Sequence, residues 1–184
     1  MIRDELPRTE CSCEACQIGC RTLPGMLGVG DLERIADHVA PSDLGCWIDE
    51  HFVASEGAKV GRYNDHGSID VFQIPTITPA QEPNGHCTFY KHGRCSIHAV
   101  SPLGCSHVDP HMSKEQGDAV VHPALGEIAD DKWRDGPYWR TWQHLAAAGL
   151  VARPRAERRA AFEREFAKVR AETPRQKPPE SLDA

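Results

Sequence analysis

No stretch of this chain is apolar for long enough to cross a membrane, and its opening residues, Met-Ile-Arg-Asp-Glu-Leu-Pro-Arg-Thr-Glu, are too polar for a secretory signal. The expected compartment is therefore cytoplasmic. Basic charge is also lacking: the formal net charge is −6, so there is no positive field to gather nucleic acid. No internal repeat is present, and no Ser/His/Asp arrangement suggests a nucleophile. A GxxGxG run does occur at Gly25-Met-Leu-Gly28-Val-Gly30, but no buried strand leads into it. That rules out a phosphate cradle, and Pro24 with the glycines marks a turn instead. The carboxylates Asp65, Asp70 and Asp109 are of the type used in acid–base work, but nothing in the sequence selects them.

What the chain has is thiols. Seven of its eight cysteines fall in two short segments. The first runs Cys11-Ser-Cys13-Glu-Ala-Cys16-Gln-Ile-Gly-Cys20, and the second holds Cys87, Cys95 and Cys105. In a reducing compartment, clustered cysteines bind metal or do redox chemistry more often than they form disulfides. Thiolates are soft donors that favour zinc, iron–sulphur clusters or Cu(I) over magnesium or calcium. The C-x2-C-x3-C spacing lets one loop wrap several sulphurs around a single centre. Zinc takes four ligands and a [4Fe–4S] cluster usually four cysteines. The surplus of thiols points to two close centres, or to thiols with another role. Radical-SAM spacing and the paired C-x2-C of a zinc ribbon are both absent. Histidines crowd the second segment at His86, His92, His98, His107 and His111, of which His107 and His86 are the best candidates for a mixed Cys/His site.

The expected fold class is α+β: a small cysteine-cluster domain over 11–125 with short helices and a β-hairpin, then a helical extension over 131–172 and a disordered tail over 173–184. Asp31 reads as the N-cap of a helix carrying Leu32, Ile35, Ala36 and Val39. Ser42 starts a second helix with Leu44, Trp47, Ile48 and Phe52, in which Cys46 reads as a small buried hydrophobe. Residues 56–68 read as a loop. The best strand is Ile69–Ile74, kept short by Pro75 and Pro79. Cys87–Tyr90 and Arg94–Ile97 flank a glycine turn, which predicts a hairpin. Residues 109–130 carry little periodic signal. Tyr138, Trp142 and Leu145 predict a helix ended by Gly149, and Phe162, Phe166 and Val169 lie along one face of a second helix over about 154–172. The aromatic residues of this extension read as core, and the arginines of 153–170 as a solvated face.

The order Cys13-x2-Cys16-x3-Cys20, Asp31-Leu-x-x-Ile-Ala, Cys87-Thr-Phe-Tyr-x3-Arg94-Cys95-Ser-Ile-His98-x3-Pro102-x2-Cys105 resembles the CxxCxxxCC cysteine-cluster family (YkgJ-type, zinc- or iron-chelating) over residues 11–108. Arg21 stands where that pattern has a second adjacent cysteine, and Ser101 and Ser106 stand where it has arginines. Cys11 is the candidate replacement for the missing thiol. The resemblance implies a metal-chelating module with Cys13, Cys16, Cys20, Cys87, Cys95 and Cys105 as ligands and Cys11 next. The cofactor expected is an iron–sulphur cluster or zinc, serving electron transfer, redox sensing or cofactor maturation for a protein partner, with neither nucleic acid nor membrane involved. A metal-dependent enzyme related to methyl transfer and a purely structural zinc module are the alternatives.

Overall fold

In the computed structural model, which describes Arg8 and residues 13–172, a long β-hairpin forms the spine. Cys11 and the 173–184 tail lie outside the described residues. Strand β1 (Phe52–Tyr63) pairs antiparallel with β2 (Ile69–Pro79). The sequence predicts a loop over most of β1 and a strand of about half the observed length for β2. The apolar pattern of β1 is sparse because its distal half rests on ladder hydrogen bonds rather than on burial. Phe52 and Ile77 at the base are fully buried, whereas Ile69, Val71 and Phe72 at the tip are exposed. Pro75 and Pro79 are tolerated because, in a two-stranded sheet, β2 keeps one free edge. The register shifts between Ser55 and Ala58, where Gly57 has φ +76 and a Cβ would meet the Ile74 carbonyl oxygen at 1.9 Å. Only glycine fits that bulge.

Three short helices precede the spine: α1 (Glu14–Thr22), α2 (Asp31–Val39) and α3 (Leu44–His51). On α3 it is Trp47 that turns inward, packing edge-on against Phe52. Cys46 is exposed, which corrects its reading as a core residue. With Trp47 facing the core, the position before it on this short helix faces solvent, and the Cys46 thiol lies 3.6 Å from the Glu50 carboxylate.

After the spine come the small hairpin β3 (Tyr90–Lys91) and β4 (Arg94–Cys95), a 3-10 turn at His98–Val100, and α4 (Leu103–Ser106). Helix α5 (Lys114–Trp133) occupies a region that carries little signal in the sequence. Its inward residues, Leu125 and Ile128 with half-buried Val121, do recur at helical spacing, but Gly117, Pro123 and Gly126 interrupt the pattern. A reciprocal capping box between Ser113 and Gln116 starts it. Helices α6 (Pro137–Ala147) and α7 (Arg155–Glu172) follow, with Gly149 in the left-handed region beyond α6. Helix α6 packs on β1 and α7 on α1. Tyr138 and Leu145 are core, but Trp133 is 91% exposed, against the reading of all these aromatics as core. The chain is thus an α+β fold of short helices around a hairpin, closed by the C-terminal helices.

Tyr138 ties these layers together. Its buried hydroxyl accepts from the Ile77 N–H at 2.7 Å and donates to the Leu27 carbonyl at 3.1 Å. Tyr138→Phe strands a buried donor and a buried acceptor, so it should cost about 1–3 kcal/mol in chemical denaturation.

Candidate metal centre

The first cysteine segment is a helix, not the wrapping loop its spacing suggests. Glu14 suits the first turn, and Ile18 and Thr22 bury one side against the fold. Cys13 is the N-cap, and Cys16 and Cys20 follow three and seven residues on. Those intervals align all three thiols along one face. That face divides its sulphurs between two neighbouring groups.

The lower group is Cys13, Cys16 and His111, whose donor atoms all lie within 4.8 Å of one another. The His111 Nε2 is 3.1 Å from the Cys13 sulphur, which holds the imidazole above its ordinary pKa. His111 is presented by a tight turn in which its own N–H donates to the Asp109 carboxylate at 2.8 Å. Cys16 is buried while Cys13 and His111 are exposed, so one side of the group faces solvent. These three residues could hold a metal ion.

The upper group is Cys20, Cys87, Cys95 and Cys105, which together line a cavity of about 20 Å³ with Pro79, Tyr90 and others. Desolvation pushes the Cys87 thiol up to about 12 and raises the other three as well. Mutual repulsion adds to this, and every pairing of the four contributes. A cation among them would invert that penalty. No three of these sulphurs, among the described residues, meet the 4.8 Å limit that the lower group meets.

Long-range contacts deliver each of these thiols. Cys87 is fixed by its N–H donating to the Arg21 carbonyl at 2.7 Å, next to Cys20. Cys95 closes the small hairpin, whose turn residues His92 and Gly93 both have positive φ. Cys105 sits where two backbones touch: a Cβ on Gly25 would lie 2.1 Å from the Gly104 carbonyl carbon. The Gly25 N–H donates to the Cys105 sulphur at 3.1 Å. The same crossing is pinned by Asp31, 2% exposed, whose carboxylate accepts from Gly28 N–H, Leu103 N–H and Arg34. Asp31 is therefore not the N-cap expected for α2, a place taken by Gly30. Arg8 donates to the carbonyls of His98 and Ala99, steadying the turn between Cys95 and Cys105.

No family model matches this chain, and no curated protein or solved structure matches it either.

Of the candidate ligands, the structure brings Cys13 and Cys16 together with His111, and Cys20 together with Cys87, Cys95 and Cys105. Cys11 lies outside the described residues. None of the seven described cysteines is in a disulfide. His111, rather than the favoured His107 or His86, completes the compact group. His107 is buried at the end of α4, and His86 lines a separate, larger cavity. The aspartate two residues before His111 was the available signal, since Asp in this position builds a turn that presents the residue after next. Of the three carboxylates the sequence left unselected, only Asp109 approaches the thiols, and it acts by shaping that turn. Among the described residues, no helix is long and apolar enough to cross a membrane.

Proposed function

We propose that this protein is an iron–sulphur carrier in which Cys20, Cys87, Cys95 and Cys105 hold the cluster and exchange single electrons with a protein partner. The observation that carries this reading is that Cys20, Cys87, Cys95 and Cys105 line one small cavity, Cys87 buried and the others half-buried, yet no three of their sulphurs lie within 4.8 Å of one another. A single tetrahedral zinc at ~2.3 Å from each sulphur needs neighbouring sulphurs only ~3.8 Å apart. A cluster instead places each thiolate on its own iron, and four cysteines are its usual complement. The donor chemistry fits as well: four thiols line the cavity with His98 beside them, and the Gly25 N–H already points at one of the sulphurs. When bound, such a cluster supplies one-electron chemistry. Around it, the chain's own residues exclude water on the Cys87 and Cys105 side. They leave the hairpin tip, from Lys91 to Arg94, exposed for a partner. The resemblance to the CxxCxxxCC cysteine-cluster family supports a chelating role without specifying the metal.

Full-length protein purified without oxygen should contain iron and acid-labile sulphide in equal, near-stoichiometric amounts, with visible absorption that bleaches on reduction. A preparation holding neither, or holding zinc alone at the four-thiol group, overturns the reading.

One observation favours a second role beside the first. Cys13, Cys16 and His111 offer three donors on an open side, the arrangement that leaves a fourth position for water or substrate on a mononuclear zinc. This supports the metal-dependent enzyme reading at the lower group. His111→Ala should remove the zinc from such a site and leave the iron unchanged, as metal analysis of the same preparation would show.

A further inference from the structure

A cavity beside the upper thiol group, but lined by none of its cysteines, is bounded by the end of α1, the 81–86 loop and one flank of α7. We propose that it is a binding site for a compact polyphosphate. It encloses about 670 Å³ and is walled by the guanidinium groups of Arg21, Arg153, Arg158 and Arg164 against two carboxylates, Glu157 and Glu165. That volume is in the range of small-molecule sites.

Arg153, Arg158 and Arg164 come from α7 and the residues just before it, and Arg21 joins them from the end of α1. Arg158 is only 7% exposed. It is held by Nε donating to the Arg153 carbonyl at 3.0 Å and a terminal nitrogen donating to Ser55 Oγ at 3.0 Å. This guanidinium hydrogen-bonds to neutral acceptors, with Glu56 offsetting its charge only from a distance, and burial pulls its pKa below the ordinary value. Of the four, only Arg21 has a carboxylate within 4.0 Å among the described residues, Glu165 at 3.7 Å. Glu165 is itself engaged by Lys168 at 2.7 Å. The Arg21 Nε is buried and finds no hydrogen-bond partner. Each of these deficits is met by an anion placed among the four.

The lining also selects the anion. Forked guanidinium groups match phosphate oxygens in pairs, and several of them converging favour a ligand of high charge density. No Trp, Tyr or Phe among the described residues lines the cavity, so His86 is the one ring in its wall that a nucleobase would meet, while four guanidinium groups face phosphate. What fits is a chain of phosphates rather than a nucleoside. The site abuts the upper thiol group, since Arg21 follows Cys20 and His86, another wall residue, precedes Cys87. The proposal does not depend on which metal those thiols hold.

Calorimetric titration of the full-length protein with tripolyphosphate, at matched ionic strength, tests it. We expect saturable one-to-one binding that weakens as salt rises. Arg153→Gln and Arg164→Gln should each weaken it about tenfold. Glu157→Gln should strengthen it, a gain that damaged folding cannot produce, and circular dichroism melts should show all three variants folded. Absence of saturable binding overturns the proposal. So do heats unchanged in both arginine variants, which would report only metal extraction, and citrate binding more tightly than tripolyphosphate. Binding of a single-stranded RNA that tripolyphosphate does not displace would also overturn it, in favour of a nucleic-acid surface.

Discussion

Cys105→Ser should leave the purified protein with roughly tenfold less iron and sulphide than the parent, because even residues that merely orient ligands cost 10–100-fold in metal affinity. Cys46→Ser, which alters an exposed thiol belonging to neither group, should change nothing. The contrast matters more than either result. Cys105 is held at the Gly25–Gly104 crossing, and each of the other three thiols adds to the cost of its negative charge. Serine cannot replace it as a soft donor. The three thiols left behind would hold a cluster with one iron lacking its cysteine. His111→Ala serves as the partner experiment. If the two groups are separate, it lowers only the metal held by Cys13 and Cys16, and the visible spectrum survives. Parallel loss of iron in both variants would mean that the thiols act as one centre, and iron content unaffected by Cys105→Ser would sink the four-thiol assignment.

Gly25→Ala should be strongly destabilising, at a contact that positions one of the candidate ligands. Its Cβ would lie 2.1 Å from the Gly104 carbonyl carbon and 2.5 Å from the Cys105 backbone nitrogen, and backbone, unlike a side-chain tip, cannot swing aside. Relief requires the 25–30 loop and α4 to part. That would break the Gly104 N–H bond to the Met26 carbonyl and withdraw the Gly25 N–H from the Cys105 sulphur. The expected loss is about 3 kcal/mol. For a chain of this size that corresponds to a fall in melting temperature of roughly 6–12 °C. Cluster content should fall with it, since Cys105 moves with α4. Gly117→Ala is the control: a Cβ there meets nothing within 4 Å, and the site is helical. It should stabilise by about 0.5–1 kcal/mol. A Gly25→Ala protein as stable as the parent would show that the two backbones do not touch in solution.

Elements carrying their own local signal were legible from the residues. Asp31 to Val39, Pro137 to Ala147 and the arginine-rich final helix all show helical spacing with recognisable stops, and the small hairpin announces itself by His92-Gly93. What escaped had its stabilisation elsewhere. Strand β1 is long because β2 supplies its hydrogen-bond partners, so its own residues need not alternate. Helix α5 tolerates Pro123 because a capping box and a buried face hold it on both sides of the proline. Cys46 looked like core because Trp47, Ile48 and Phe52 surround it in sequence, yet the phase of one short helix turns it outward.

The cysteine spacing by itself determined that three thiols of the first segment would lie close together, but it suggested a wrapping loop, and the helix that sets Cys13, Cys16 and Cys20 along one side came from the structure. The sequence also determined the kind of chemistry, since soft sulphur donors in this number suit few ions. Tertiary structure alone decided how those thiols divide, with Cys20 joining Cys87, Cys95 and Cys105 while Cys13 and Cys16 meet His111. The reason is one of distance along the chain. The later donors are placed by a buried aspartate, a contact between two glycine backbones and a turn at Asp109, none of which leaves a periodic trace in the order of residues.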